Sequence, residues 1–290
     1  MLADCKIDTK PDEQNIISNK FFKGSGPAQP YLNYALYLLI YYCPDEAEVD
    51  YSLRKKNINK LNTNMFFPNY WSSRRSQFFP PIENFTSLYE LEINLRAFDL
   101  KNIKLKDVLK NSSVEKIRIN NYEKSLMWLK NFPQLNNLYL GIGYYGELIK
   151  DLHAFEYVTN LEELEMSCTS ENIDFLKKCV KIKKLTINLT SAQNIDALKY
   201  LTKLEELDIS GIPDGNYAGL SYCKKLKNLI ISSGAATNVL ANLKSCSALE
   251  KLDLKSNSEF NIKLDTRSFY GINKFNKLKK ISLDGTTLKF

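Results

Sequence analysis

A pattern of a leucine-like residue, two free positions, a second leucine-like residue, one free position and a third recurs nine times along the chain. The copies begin at Leu88 (LYELEI), Val114 (VEKIRI), Leu135 (LNNLYL), Leu161 (LEELEM), Ile182 (IKKLTI), Leu204 (LEELDI), Leu226 (LKNLII), Leu249 (LEKLDL) and Leu278 (LKKISL). Successive starts lie 26, 21, 26, 21, 22, 22, 23 and 29 residues apart. Self-similarity at this period forces equivalent residues onto equivalent faces of successive units, and so restricts the fold more than any other feature of the chain.

Two further columns keep the same register. Three residues before each start stand Phe85, Asn111, Phe132, Val158, Cys179, Leu201, Cys223, Cys246 and Phe275. Six before stand Ile82, Val108, Leu129, Phe155, Leu176, Leu198, Leu220, Leu243 and Ile272. Of these eighteen positions only Asn111 is neither apolar nor Cys. Apolar residues at i and i+3 read as a short helical turn, and the alternation inside LxxLxL reads as a strand with one buried face. Each unit is thus a strand with a partly helical return. One unit alone leaves its apolar side in water, whereas stacked units share a continuous core.

Over residues 82–290 the pattern resembles the leucine-rich repeat family. Units of 21–23 residues, such as NIDALKYLTKLEELDIS, look most like the internalin and protein-phosphatase-regulator types. The resemblance implies an α/β fold, a right-handed solenoid of about nine coils with a parallel sheet on the concave face and a partly helical convex side. One column departs from the family. Where the family places Asn, three residues after the last strand leucine, this chain has Arg96, Tyr122, Gly143, Thr169, Thr190, Ile212, Gly234, Asn257 and Thr286. Backbone groups at those turns therefore need other partners. The long steps before Val114, Leu161 and Leu278 imply bulging loops or extra helix.

Residues 1–20 read as a flexible N-terminus and 21–81 as a helical or irregular N-terminal cap. The cap contains an apolar stretch, Tyr31 to Cys43, and an aromatic run around Phe66 to Phe79 that would cover the first coil. The alternative is a separate interaction module presenting Trp71, Arg74 and Arg75. The repeat domain spans 82–290. After the ninth strand only TTLKF follows, so the last coil's edge is expected either to be met by Leu288 and Phe290 folding back or to be covered by a partner or a second copy. The apolar stretch is 13 residues long and contains Asn33, too short for a membrane span. No basic start followed by an apolar run marks a secretory signal, which makes the cytoplasm the expected compartment, with export lacking a classical signal as the alternative.

Chemistry-bearing residues are sparse. A single histidine, His153, removes most His-based catalysis, and no Ser-His-Asp, Cys-His, GxGxxG or P-loop arrangement is present. No catalytic residue, cofactor, metal or small-molecule substrate is expected. The six cysteines form no CxxC pair, and Cys179, Cys223 and Cys246 fall in the apolar column as small buried hydrophobes. The net charge of +7 is uneven, with 13 basic and 5 acidic residues in 223–290. Only six of the 40 basic residues are Arg, which weighs against specific nucleic-acid reading. A basic C-terminal end docking nucleic acid or anionic membrane is the minor alternative.

Binding is expected where side chains leave the concave sheet. The first outward column alternates in sign (Glu163, Lys184, Glu206), as cross-strand charge pairing would. The second contains Glu92, Arg118, Tyr139, Glu165, Asp208, Ile230 and Asp253. Tyr139 and Ile230 are not explained by charge pairing. With Tyr144 and Tyr145, Tyr139 makes an aromatic cluster of the kind enriched in binding hot spots, flanked by Arg118 and Glu165, with Leu95 and Ile142 adding apolar surface. The expected function is a non-enzymatic scaffold, an adaptor or inhibitor holding another protein on this face. The alternative is the same scaffold as an exported microbial effector or surface recognition protein.

Overall fold

The computed structural model describes residues 60–62, 82–95, 104–120, 125–141, 149, 151–190, 192–212, 216–232, 236–255, 275–283 and 286–289. The chain divides into two units, Met1–Val114 and Glu115–Phe290. Apart from Lys60–Asn62, the expected cap at 21–81 lies outside the described residues, as do residues 1–20, Cys5 and Cys43.

In the second unit, strands β3 (Lys116–Asn120), β4 (Asn137–Gly141), β5 (Glu163–Cys168), β6 (Lys184–Leu189), β7 (Glu206–Ser210), β8 (Asn228–Ser232), β9 (Lys251–Lys255) and β10 (Lys280–Leu283) pair in parallel, each with its sequence neighbour. The register is that of the repeat: Leu164 opposes Leu185, which opposes Leu207, then Leu229 and Leu252. Burial alternates along the strands, as a sheet with one covered face requires. At the start of each strand a carbonyl takes two amides of the next coil, as when Lys183 and Lys184 N–H donate to Glu162 O at 2.8 and 3.1 Å.

The return segments are 3-10 turns, for example Met127–Asn131, Asp196–Tyr200 and Ala218–Tyr222. Their bonds run in steps of three into the strand: Leu198 N–H to Ile195 O, Leu201 to Leu198 and Leu204 to Leu201, at 2.9–3.0 Å. Side chains at i and i+3 eclipse in this geometry, so one residue in three faces the core. That is why the columns at three and six before each start are buried in the described coils, the half-buried Val108 excepted, together with one at nine before that includes Leu126, Ile173, Ile195 and Tyr217. The helical reading of these segments is correct in direction, but the turn is tighter than an α-helix. α-Helical turns enter at α1 (Leu105–Val108), within the long step before Val114, and at the seven-residue α2 (Ala236–Asn242).

Two turns rest on single residues. Gly211 has φ +83°, and a Cβ there would overlap the Leu189 carbonyl of the preceding coil, so only glycine fits. The buried Tyr217 hydroxyl donates to Ile212 O at 2.7 Å, satisfying a turn carbonyl in the column where family asparagine is missing. In the same column Thr190 donates to Thr169 across the coils at 2.8 Å. Asparagine instead opens the 3-10 turns. Asn172, Asn194 and Asn216 each accept from the backbone N–H two residues on, at 2.9, 3.3 and 2.8 Å.

Of the two ends expected for the last coil, the chain takes the one that folds back, with Leu288 opposite Ile281. Thr286–Lys289 forms β11, which turns back and pairs antiparallel with β10, Lys280 opposite Lys289. The ninth repeat strand is therefore not left open, because a short connection allows the chain to supply its own edge partner.

In the first unit, β1 (Lys60–Asn62) pairs in parallel with β2 (Glu90–Asn94), Leu61 opposite Leu91, and Lys60 lies 2.9 Å from Glu90. Asn111, the polar exception in its column, is buried there. Its Nδ2 donates to Ile82 O at 2.6 Å and Phe85 O at 3.0 Å. Its Oδ1 accepts from Ser113 N–H and Oγ.

Candidate functional site

The sheet's outward face is built by the even positions of each strand, which the inward leucines leave in water. On it Arg118 of β3, Tyr139 of β4 and Glu165 of β5 are direct register partners. The Arg118 guanidinium lies 3.8 Å from the centroid of the Tyr139 ring, a cation–π stack. Arg118 and Glu165 are exposed and Tyr139 is half-buried. Gly141, next after Tyr139 on this face, keeps room for the ring. A Cβ there would stand 3.0 Å from Tyr139 Cε1 and closer still to Asn120 Oδ1. Tyr144, Tyr145 and Ile142 lie outside the described residues. Leu95 does not add to the surface. It follows Leu91 and Ile93 at period two on the inward face and is 1% exposed. Glu92 stands on β2 of the first unit, half-buried.

Farther along the same row, Asp208, Ile230 and Asp253 are register partners on β7, β8 and β9, all half-buried. Burial raises the Asp208 carboxyl above its usual range, with Lys255 opposing and Asp253 adding to the shift. One carboxylate oxygen of Asp253 is buried without a hydrogen-bond partner, and the other lies 3.8 Å from Lys255 Nζ. Ile230 thus separates two acidic groups.

The expected charge pairing exists, but its shortest contacts belong to another column. Lys184 and Glu206 stand 3.9 Å apart. One residue earlier, Glu162–Lys183, Glu205–Lys227 and Glu250–Lys279 pair at 2.6 Å each. The hydrogen bond from lysine is the main cause that lowers the pKa of each of these glutamates. The strict alternation Glu162, Lys183, Glu205, Lys227, Glu250, Lys279 is visible in the sequence and was the better signal.

Cys168, Cys179, Cys223 and Cys246 are buried free thiols. Burial pushes the first three up to about 12 and Cys246 to about 11, far from the thiolate that nucleophilic chemistry needs. His153 is exposed in the Leu152–Tyr157 turn. Among the described residues no three His, Cys, Asp or Glu side chains gather as a metal site, and no helix is long and apolar enough to cross a membrane.

The structure is similar to that of an internalin C2 from Listeria monocytogenes, with a TM-score of 0.51 and 15% identity, over 71% of this chain and 84% of that one. The fold is a leucine-rich-repeat fold. A Listeria monocytogenes internalin (inlF) follows at TM-score 0.40 and 15% identity, covering 79% of this chain and 82% of that chain. A leucine-rich-repeat protein of Leptospira interrogans has TM-score 0.42 and 13% identity, over 83% and 75%. No family model matches the chain, and neither does any curated protein. In this leucine-rich-repeat fold the inward leucines build the core, and the outward columns of the sheet are left half-buried or exposed.

Proposed function

We propose that the chain is a non-enzymatic interaction scaffold, an adaptor or inhibitor, that holds a protein partner on the outward face of its sheet. The observation that carries the reading is the Arg118–Tyr139 stack, with Glu165 next in register. An aromatic ring fixed by a cation, on a rigid strand and half in water, loses little side-chain freedom when a partner covers it. Buried, unreactive thiols support a reducing compartment and so action in the cytoplasm.

A photo-crosslinking residue at position 165, with one at position 199 as control, tests the reading in an extract of the native cells. The expected result is one protein captured from position 165 but not from 199, and lost when Tyr139→Ala is added. Capture that is equal from both positions, or indifferent to Tyr139, overturns it.

A further inference from the structure

The 3-10 geometry that turns every third residue inward also decides what the turns show to solvent. In the coils leading to β6, β7, β8 and β9 the columns at nine, six, three and zero are buried, and the positions five, four, two and one before the strand start face out. Neighbouring coils meet side by side there. Lys178 Nζ reaches Glu156 at 3.0 Å, Lys181 Nζ reaches Asn160 at 2.7 Å, and Lys177 Nζ lies 6.0 Å from the Tyr200 ring centroid.

Over the coils leading to β6, β7, β8 and β9 these places hold three, two, two and one lysine, eight in all, with no Asp or Glu. All eight are exposed. Lys177 and Lys178 are paired, with Asp174 and Glu156. Lys199, Lys203, Lys224, Lys225 and Lys244 make no ion pair within 4 Å among the described residues.

A second observation falls on the same flank. The exposed large hydrophobic side chains among the described residues are Tyr157, Val180, Tyr200 and Tyr222, and all four occupy these outward turn positions. Tyr222, 55% exposed, stands two residues from Lys224, and Lys199 Nζ lies 5.3 Å from the Tyr200 ring centroid.

We propose that this turn flank, from the coil of β5 to the coil of β9, docks on an anionic phospholipid surface. Lysine is a point charge that needs no directed acceptor, and clustered lysines are drawn to acidic headgroups. Tyrosine, with an apolar body and a polar tip, settles at the level of those headgroups. Lysines with long stems let the rings approach while their own charges stay in water. A nucleic acid fits less well. Arginine is absent from these coils, and lysines beside Tyr200 occupy the surroundings that a stacking base would need. The surface is separate from the outward sheet face, so its failure leaves the scaffold reading untouched.

The test is co-sedimentation of the full chain with phosphatidylcholine vesicles, with and without phosphatidylserine, at low and high salt. Binding is expected only to the phosphatidylserine vesicles and is expected to weaken with salt. The combined variant Lys203→Glu, Lys224→Glu, Lys225→Glu is expected to lose about tenfold or more in binding, with an unchanged circular dichroism spectrum. Tyr222→Ala is expected to weaken binding a few-fold, while Tyr139→Ala leaves it intact. Equal binding to both vesicles, no binding, or an unaffected triple variant overturns the proposal. So does binding of a single-stranded RNA oligonucleotide that the triple variant loses while vesicles are ignored.

Discussion

Asn111 and Cys179 occupy the same column of the repeat and send their side chains to equivalent acceptors. Asn111 Nδ2 donates to Ile82 O and Phe85 O, six and three residues before the start of the preceding strand pattern. Cys179 Sγ lies 3.5 Å from Phe155 O and 3.9 Å from Val158 O, which stand in the same places. Cys246 repeats the first contact with Leu220 O at 3.3 Å. The column that is otherwise apolar thus uses a polar or weakly polar side chain to answer turn carbonyls of the coil before it.

Asn111→Ala is expected to destabilise the chain by about 2 kcal/mol, since it removes two buried amide hydrogen bonds and the acceptor of the Ser113 N–H, while Ile82 O and Phe85 O keep the backbone donors Phe85 and Leu88 N–H. Cys179→Ala removes longer, weaker bonds and a smaller volume and is expected to cost about 1 kcal/mol. Urea unfolding of both variants gives the comparison, and equal losses would show that the amide bonds carry no special weight.

Gly141 leaves space beside both the Asn120 side chain and the Tyr139 ring. Gly141→Ala is expected to displace the Asn120 side chain and to shift the Tyr139 ring slightly, changing the ring-current shift of the Arg118 side-chain protons in NMR. The whole stack is worth about 0.5–1 kcal/mol at such an exposed site, so stability should change little while the candidate surface is altered.

Acid should weaken the fold through the glutamate ladder. Glu162, Glu205 and Glu250 are held below the ordinary 4.5 by their lysine partners. Their contribution is present above 4.5 and is lost as pH falls through the depressed folded values. Glu205→Gln with Glu250→Gln is expected to flatten the melting temperature below pH 4.5. Asp208 works in the opposite direction. Burial raises its pKa, so ionisation costs stability as pH rises from 3.8 through the folded value. Asp208→Asn is expected to raise the melting temperature at pH 7.

The four described thiols should be inert in the folded chain. With Cys5 and Cys43 replaced by serine, a thiol reagent at pH 8 is expected to label none of Cys168, Cys179, Cys223 or Cys246 until denaturant is added, because they are buried and raised to about 11 or 12. Rapid labelling in native buffer would overturn this.

Periodicity alone determined the coils, their register and their buried columns, because a residue repeated every 21–29 positions can meet its equivalents only by stacking. It also placed Arg118, Tyr139 and Glu165 on one face, since strand alternation is a local rule. What the tertiary structure decided depends on contacts between coils that no local rule encodes. The Asn111 side chain reads as an exception until its acceptors, 29 and 26 residues away, are brought beside it. Leu95, by contrast, is open to the local rule, since strand alternation carried past Ile93 already turns it inward. At Thr286 the sequence leaves a returning tail and a covered edge as alternatives, because the choice depends on β10 being there to pair with.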